Sequence, residues 1–182
     1  MLPLDGALRQ AQGAPSDSRG ERKPRLFLKT NFTEITAHFS PDGRWVAYTS
    51  NETGRFEIYV RPFVAPTAPP ATDRAPAIPT GGLWQVSTAG GIYPKWRSDG
   101  KELYYIGPDG QMMAATIAAT GTTLESDTPV ALFPARIVGG GTNNGQGVQY
   151  DVAHDGRFLI NTVLDDAASS ITVILNWKPG AT

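Results

Sequence analysis

An Asp-Gly pair recurs along the chain at nearly equal intervals, and this feature most constrains the fold. The pairs are 57 and 56 residues apart, and an apolar residue precedes each Asp by three positions. A basic residue directly follows each Gly, and an apolar residue stands three positions after it. Self-similarity at a fixed period is the signature of a repeat architecture. The 182 residues therefore hold three copies of one unit, marked by Asp42-Gly43, Asp99-Gly100 and Asp155-Gly156.

Each Asp-Gly pair predicts a tight β-hairpin. In "SPDG", Pro41 presets the φ angle of a type I turn, Asp42 suits the next position, and Gly43 accepts the left-handed conformation that closes the hairpin. The segments that follow the turns are short, aromatic and β-branched, which is typical of strands. They are "WVAYTS", "ELYYI" and "FLINTV", followed by third strands in "FEIYVRPF", "QMMAATIA" and "SITVILNW" and by fourth strands in "LWQVS" (83–87) and "PVALF" (129–133).

Four antiparallel strands per repeat predict a β-propeller blade. The predicted fold is all-β: a partial propeller of about three four-stranded antiparallel blades, plus the outer strands of a preceding blade. "LFLKT" (26–30) precedes the first hairpin as "LWQVST" precedes the second, so we interpret it as the fourth strand of that earlier blade. We assign 1–23 to a partial strand and a disordered loop, and 24–182 to blades at about 24–87, 92–133 and 148–178, with a flexible Pro/Ala-rich loop at 65–82.

Composition excludes several classes of function. With 16 basic and 17 acidic residues the net charge is −1, which gives no footprint for nucleic acid or for an anionic membrane. The chain has no cysteine, so disulfides, thiolate metal sites and cysteine nucleophiles are excluded. No apolar run reaches the length of a membrane span, and the first residues do not form the apolar region of a signal peptide.

The repeats resemble a known family. "AHFSPDGRWVAYTSNETGRFEIYVRPF", "WQVSTAGGIYPKWRSDGKELYYIGPDGQMMA" and "ITVILNW" are similar to WD40-like β-propeller repeats related to TolB. More closely, they resemble the C-terminal propeller of bacterial receptor-type serine/threonine protein kinases, from about Arg22 to Pro179. The resemblance implies a periplasmic or extracytoplasmic location and a ligand that is usually unassigned. It does not imply kinase activity, because the ATP loop, "HRD" and "DFG" are absent. Two features depart from the family: His154 replaces the usual proline, and three blades are too few to close its ring.

Residues that could carry chemistry are few. His38 and His154 are the only histidines, they lie in different repeats, and no "GxSxG" elbow accompanies them. Two distant histidines also make a poor zinc site, so we predict no catalytic residue, metal or cofactor. The repeated aspartates are explained by their turns, where Asp side chains bond to backbone N–H groups. "GGGTNNGQG" (139–147) lacks the Lys-Ser/Thr of a phosphate-binding loop.

Blade geometry separates the loops into two faces. The repeated hairpins lie on one face, and the loops between second and third strands and between successive blades lie on the other, which we call the loop face. Function tends to reside in loops held by a rigid scaffold. We therefore predict a ligand site on the loop face, built from Asn51, Glu52, Arg55, Tyr93, Asp165 and Asp166.

These observations lead to a functional prediction. The main interpretation is a non-catalytic binding or sensor module, not an enzyme, that engages a protein or other macromolecule in a signalling protein related to those kinases. One alternative is the propeller part of a hydrolase such as a peptidase or glycosidase. Another is a structural fragment of a larger propeller without autonomous function. An open arc also exposes strand edges, so self-association could complete the ring.

Overall fold

The structure is a computed structural model that describes residues 26–64, 81–142, 145, 147–162 and 170–174. All twelve elements in these ranges are β-strands, arranged in three antiparallel sheets that follow one another along the chain. The predicted all-β fold, a partial β-propeller, is confirmed. The predicted segments 1–23 and 65–80 lie outside the described residues.

Each sheet is one blade. The first contains β1 (Glu34–Phe39), β2 (Trp45–Ser50), β3 (Glu57–Pro62) and β4 (Trp84–Gln85), in that spatial order. The second contains β5 (Ile92–Trp96), β6 (Glu102–Ile106), β7 (Gln111–Thr120), β8 (Thr123–Ser126) and β9 (Val130–Pro134), with β8 and β9 both paired to β7. The third contains β10 (Tyr150–Val152), β11 (Phe158–Thr162) and β12 (Ser170–Ile174).

The Asp-Gly turns form as predicted. Gly43, Gly100 and Gly156 have φ angles of 70°, 71° and 84°, which L-residues with a side chain rarely adopt. The amide of each glycine donates to the carbonyl three residues earlier at 2.9 Å. Each turn aspartate accepts a hydrogen bond from the backbone N–H two residues after it, at 3.0 to 3.3 Å. The fold therefore accounts for these carboxylates without any chemistry.

The core lies between neighbouring blades. The first interface joins Ala47, Ile58 and Val60 of the first blade to Leu103 and Tyr105 of the second. The second interface contains Tyr104, Ile106 and Met112 of the second blade and Tyr150, Phe158 and Ile160 of the third. Burying each such side chain stabilises the fold by about 1.5–3 kcal/mol, so these faces hold the blades in sequence.

The third hairpin is one residue shorter than the other two. The strand residues that flank the turn pair as Phe39 with Val46 and Trp96 with Leu103, whereas Val152 pairs with Phe158. A one-residue shift moves every later side chain to the opposite face of the sheet. Leu159, which the repeat alignment matched to buried Val46 and Leu103, is consequently 45% exposed.

Two further details differ from the sequence interpretation. Residues 26–30, predicted as a strand, form no strand in the structure. The hairpin extension β8 was not predicted, and the segment around Thr123 pairs with the long C-terminal half of β7.

Candidate functional site

The repeat places three ionisable side chains side by side on the inner strands. His38, Lys95 and Asp151 each stand four residues before the turn aspartate, on β1, β5 and β10. These are the first strands of their blades, which line the axis of a propeller. β5 contacts both β1 and β10, so the three positions are neighbours. We call them the inner-strand row.

Each row residue faces the next blade. His38 lies opposite Ala47 and Lys95 lies opposite Tyr104, and both opposite residues belong to the side that packs on the following blade. Asp151 lies opposite Leu159, on the side away from the second blade. The shorter third hairpin therefore shifts the register of β11 but leaves Asp151 on the same side of its blade as His38 and Lys95.

Lys95 and Asp151 form an ion pair. Their Nζ and Oδ1 atoms are 3.2 Å apart, and the side chains are 19% and 68% exposed. Partial burial raises the pKa of Asp151, but the hydrogen bond and charge of Lys95 outweigh this and hold the pKa below its usual value. The carboxylate is therefore ionised at neutral pH, and Lys95 is held at the edge of the second blade.

His38 is half-buried in β1. Its pKa is lowered from 6.5, first by burial and then by the positive charge of Lys95, against a smaller opposing effect of Asp151. The imidazole is consequently neutral at pH 7 and keeps a basic nitrogen. The indole of Trp96 donates to the backbone carbonyl of His38 at 3.2 Å, which ties β1 to β5.

Strained bulges precede two of the row residues. The pairing of β1 shifts between Ile35 and His38, and that of β5 shifts between Ile92 and Lys95. Within these bulges Thr36 and Tyr93 have φ angles of 52° and 60°, which are rare outside glycine. Bulges of this kind redirect the side chains that follow them.

Neighbouring blades hold the second bulge in place. The Tyr93 amide donates to Thr49 Oγ1 at 3.2 Å, and the buried Tyr150 hydroxyl donates to the Tyr93 carbonyl at 2.6 Å. These two contacts fix the backbone two residues before Lys95 from both sides.

An open groove adjoins two residues of the row, Lys95 and Asp151, and His38 is not among its lining residues. It has a volume of about 420 Å³ and lies along the outward side of the third blade. Lys95 and Asp151 are its charged lining residues, and Gln149 and Asn161 also line it. The groove is therefore large enough for a small molecule. Its remaining lining residues are Val148, Tyr150 and Leu159.

The residues predicted from the loop face are not gathered at this groove. Asn51 Oδ1 accepts the Thr33 amide at 2.8 Å, and Arg55 pairs with the buried carboxylate of Glu57 at 2.6 Å. One carboxylate oxygen of Glu52 is buried without a hydrogen-bond partner. Tyr93 is 1% exposed, and Asp165 and Asp166 lie outside the described residues. A ligand site on this face stays a prediction.

Sequence reasoning missed the inner-strand row because it considered each histidine separately. The signal that could have revealed the row is the alignment itself, since His38, Lys95 and Asp151 occupy one repeat position. His154, the other histidine, lies in an exposed turn, where its carbonyl accepts the Ser98 hydroxyl at 2.8 Å.

The described residues contain neither a cluster of metal ligands nor a membrane-spanning helix. In these ranges, no three His, Cys, Asp or Glu side chains are placed to hold a metal ion. No helix in the described part is long and apolar enough to cross a membrane.

Comparison with known proteins gives matches among solved structures only. No protein-family model and no curated protein matches the chain. A "putative 6-phosphogluconolactonase" from Bacteroides fragilis NCTC 9343 is 20% identical, with a TM-score of 0.45, and the alignment covers 78% of this chain and 37% of that one. A "putative 6-phosphogluconolactonase" from Bacteroides uniformis ATCC 8492 is 16% identical, with a TM-score of 0.45 and coverages of 82% and 40%. The chain spans about two fifths of the length of these structures.

The comparison corrects two predictions. The chain was interpreted as a non-catalytic signalling module and as not an enzyme, and the enzyme's name that both structural neighbours carry contradicts these two predictions. The alternative of a propeller that belongs to a hydrolase agrees better with these names. At this level of similarity, no activity of this chain follows from its neighbours.

Proposed function

We propose that the chain forms part of a β-propeller hydrolase whose reaction site includes the inner-strand row. The observation that carries this proposal is the placement of His38, Lys95 and Asp151 at one repeat position on three adjacent inner strands. Unlike the aspartates of the turns, these three side chains differ from one repeat to the next.

We assign each of the three side chains a different role in hydrolysis. A neutral imidazole at His38 can take a proton from an attacking water molecule, which is the role of a general base. The ammonium group of Lys95 can stabilise the negative charge that develops on the substrate oxygen. Asp151 touches Lys95 and orients its ammonium group, so we assign it a positioning role.

The charge of the site indicates the substrate class. Hydrolysis of an ester or lactone adds water across the acyl C–O bond and needs no metal or redox partner. Lys95 lines the groove and is paired there with Asp151, so an anionic substituent held at this end would take the place of that carboxylate beside the ammonium group. We therefore propose a small anionic ester or lactone, in preference to the peptides and glycosides considered from sequence.

The experiment is a hydrolysis panel on the purified full chain. Carboxylate and phosphate esters, lactones including 6-phosphogluconolactone, peptides and glycosides are each assayed at pH 7.5. We expect turnover of an anionic ester or lactone, and a loss of about 100-fold in kcat/KM in His38→Gln, which is the low end for removing a general base. His154→Gln removes the other imidazole and should retain full activity, because this residue lies in an exposed turn and its hydrogen bond with Ser98 uses the backbone carbonyl.

Added imidazole gives a second criterion. It should restore part of the activity of His38→Ala but have no effect on His154→Ala. Absence of turnover on every substrate, or equal loss in the two histidine variants, would contradict the proposal.

We also infer that the repeats are of the WD40-like, TolB-related type, including the form found in kinase-associated propellers. Two sequence segments around the turns support this inference, "FSPDGRWVAYTS" and "WRSDGKELYYIGPDG". Both contain glycine in the left-handed backbone conformation. This inference concerns the repeat alone and assigns no activity.

A further inference from the structure

The hydroxyl group of Thr49 lies between the two bulges of the inner strands. Thr49 is a fully buried residue of β2, and it stands two residues after Ala47, on the same face of the first blade. Its Oγ1 accepts the Tyr93 amide of β5 at 3.2 Å and lies 3.0 Å from Thr36 Oγ1 of β1. One side chain therefore contacts both of the residues whose positive φ angles bend the inner strands.

A hydroxyl group is suited to this double contact because it has one proton and two lone pairs. One lone pair accepts the Tyr93 amide, and the proton or the second lone pair serves the Thr36 hydroxyl. A bulge disrupts the regular pairing of the strand, so a buried amide within it needs another acceptor. Thr49 supplies that acceptor from the neighbouring blade.

Two further hydrogen bonds hold β5 on either side of Lys95. The Tyr150 hydroxyl donates to the Tyr93 carbonyl at 2.6 Å, and burial raises the pKa of this hydroxyl well above its ordinary value, so it keeps its proton. Trp96, which directly follows Lys95, donates its indole N–H to the His38 carbonyl at 3.2 Å. The backbones that carry the histidine and the lysine are thus joined through side chains of three blades.

We propose that Thr49 is a positioning residue that holds the His38 imidazole and the Lys95 ammonium group in a fixed arrangement. Each of these two row residues stands two positions after a bulge residue that contacts the Thr49 hydroxyl. Loss of the hydroxyl would therefore release both bulges together. The inference rests on the proposed function only in treating this arrangement as a reaction site, since the arrangement itself can be measured without an assay of activity.

The imidazole of His38 senses the position of Lys95. Its pKa is lowered first by burial and then by the charge of Lys95, while the charge of Asp151 acts in the opposite direction. The second histidine of the chain, His154, lies in an exposed turn of another blade. An NMR titration of the full chain therefore gives two imidazole curves, one from the row and one as an internal reference.

Thr49→Val removes the hydroxyl and keeps the branched shape of the side chain. We expect the pKa of His38 to rise toward 6.5, because Lys95 is no longer held in place, and the curve of His154 to stay unchanged. Thr49→Ser retains the hydroxyl and should keep the pKa of the unmodified chain. Ile58→Val is the matched control: Ile58 lies opposite Thr49 on β3 and is fully buried, so this change weakens the same interface without removing a hydrogen bond. It should leave the pKa of His38 unchanged.

Lys95→Met shows whether the effect passes through the lysine. In this background, Thr49→Val should leave the pKa of His38 where Lys95→Met alone puts it, as expected for two changes that act on one interaction. An equal rise with and without the lysine would mean that Thr49 acts on the burial of His38, and would overturn the proposal. An unchanged pKa in Thr49→Val would also overturn it. If Thr49→Val does not fold, Tyr150→Phe releases the Tyr93 carbonyl instead and is judged by the same criteria.

Hydrolysis gives an independent measurement. The acid side of the pH profile of kcat/KM follows the pKa of the base in the free enzyme, so it should move to higher pH in Thr49→Val together with the NMR curve. The value of kcat should fall by up to about 100-fold, which is the cost of displacing a catalytic group by about 1 Å. Thr49→Ser should retain both. A response of the His38 pKa without turnover of any substrate would contradict the proposed function alone. Turnover with a His38 pKa that does not respond would contradict the positioning role alone.

Discussion

Two rows of side chains, four residues apart in every repeat, behave differently. The turn row holds Asp42, Asp99 and Asp155, one residue type in all three blades. The inner-strand row holds a histidine, a lysine and an aspartate. Each turn aspartate accepts a backbone amide two residues later, so the turn itself requires that side chain. The side chains of the inner-strand row share no single type of contact across the repeats: Lys95 pairs with Asp151, whereas His38 is half-buried in β1.

The difference teaches how to separate scaffold from site within a repeat. A residue type that recurs in every copy is explained by the part of the fold that also recurs. A position that carries different ionisable groups in each copy is free of that requirement and available for chemistry. Predictions that change a residue of the inner-strand row, or a residue next to a turn aspartate, test this distinction.

The largest expected effect is on activity, at Lys95. Lys95→Met keeps the length of the side chain but removes the charge that faces Asp151 and the groove. By analogy with loss of one group that stabilises an oxyanion, we expect kcat/KM on an anionic ester to fall about 100-fold. The free energy of unfolding should change by less than about 1 kcal/mol, since the ion pair is largely exposed on one side.

Lys101→Met is the control from the turn that contains Asp99. Lys101 directly follows Gly100 and is exposed, so its loss should leave both hydrolysis and urea unfolding unchanged. If Lys101→Met lowered kcat/KM as much as Lys95→Met, the loss would reflect overall charge and the two rows would not differ.

A change in a turn that contains one of these aspartates should lower stability rather than activity. Gly43 has a φ of 70°, and a Cβ built there meets no atom within 4 Å. Gly43→Ala therefore adds backbone strain without a clash, which costs about 1–2 kcal/mol for an L-residue in the left-handed region. Urea unfolding should show this loss, with kcat/KM unchanged at a temperature where the variant is folded.

Gly43→Asn sharpens the same test. Asparagine adopts the left-handed conformation more readily than alanine, so its loss of stability should be clearly smaller. Equal destabilisation by the two substitutions would show that the cost does not arise from backbone conformation.

Local patterns in the sequence predicted the scaffold well. "WVAYTS" and "ELYYI" coincide with β2 and β6 because strand propensity, turn residues and repeat spacing all indicate the same boundaries. The exposure of Leu159 was not predictable in this way, since it depends on how many residues the third hairpin places between its strands.

The candidate site was harder to predict for a physical reason. His38, Lys95 and Asp151 are separated by about one repeat each and meet only when the blades stack. The bulges at Thr36 and Tyr93 are equally hidden, because neither residue type favours a positive φ and contacts from adjacent blades hold the second one. The residues predicted on the loop face followed from topology alone, without the hydrogen bonds that engage Asn51 and Arg55.

The smallest expected effect is the pH dependence of stability at His38. Its pKa in the folded chain lies below 6.5, first because of burial and then because of Lys95. As pH falls below 6.5, the unfolded chain therefore binds a proton before the folded chain does, and stability is lost until the folded pKa is passed. Urea midpoints measured between pH 7.5 and 5 should fall in the unmodified chain and fall less in His38→Gln.

The titration of Asp151 does not affect the urea midpoints in this pH range. Its pKa is lowered from 3.8, so its contribution to stability is lost only in more acidic solution. If the urea midpoints of the two proteins fell by the same amount, the pKa of His38 would not be lowered in the folded chain. The assignment of His38 as a general base would then fail.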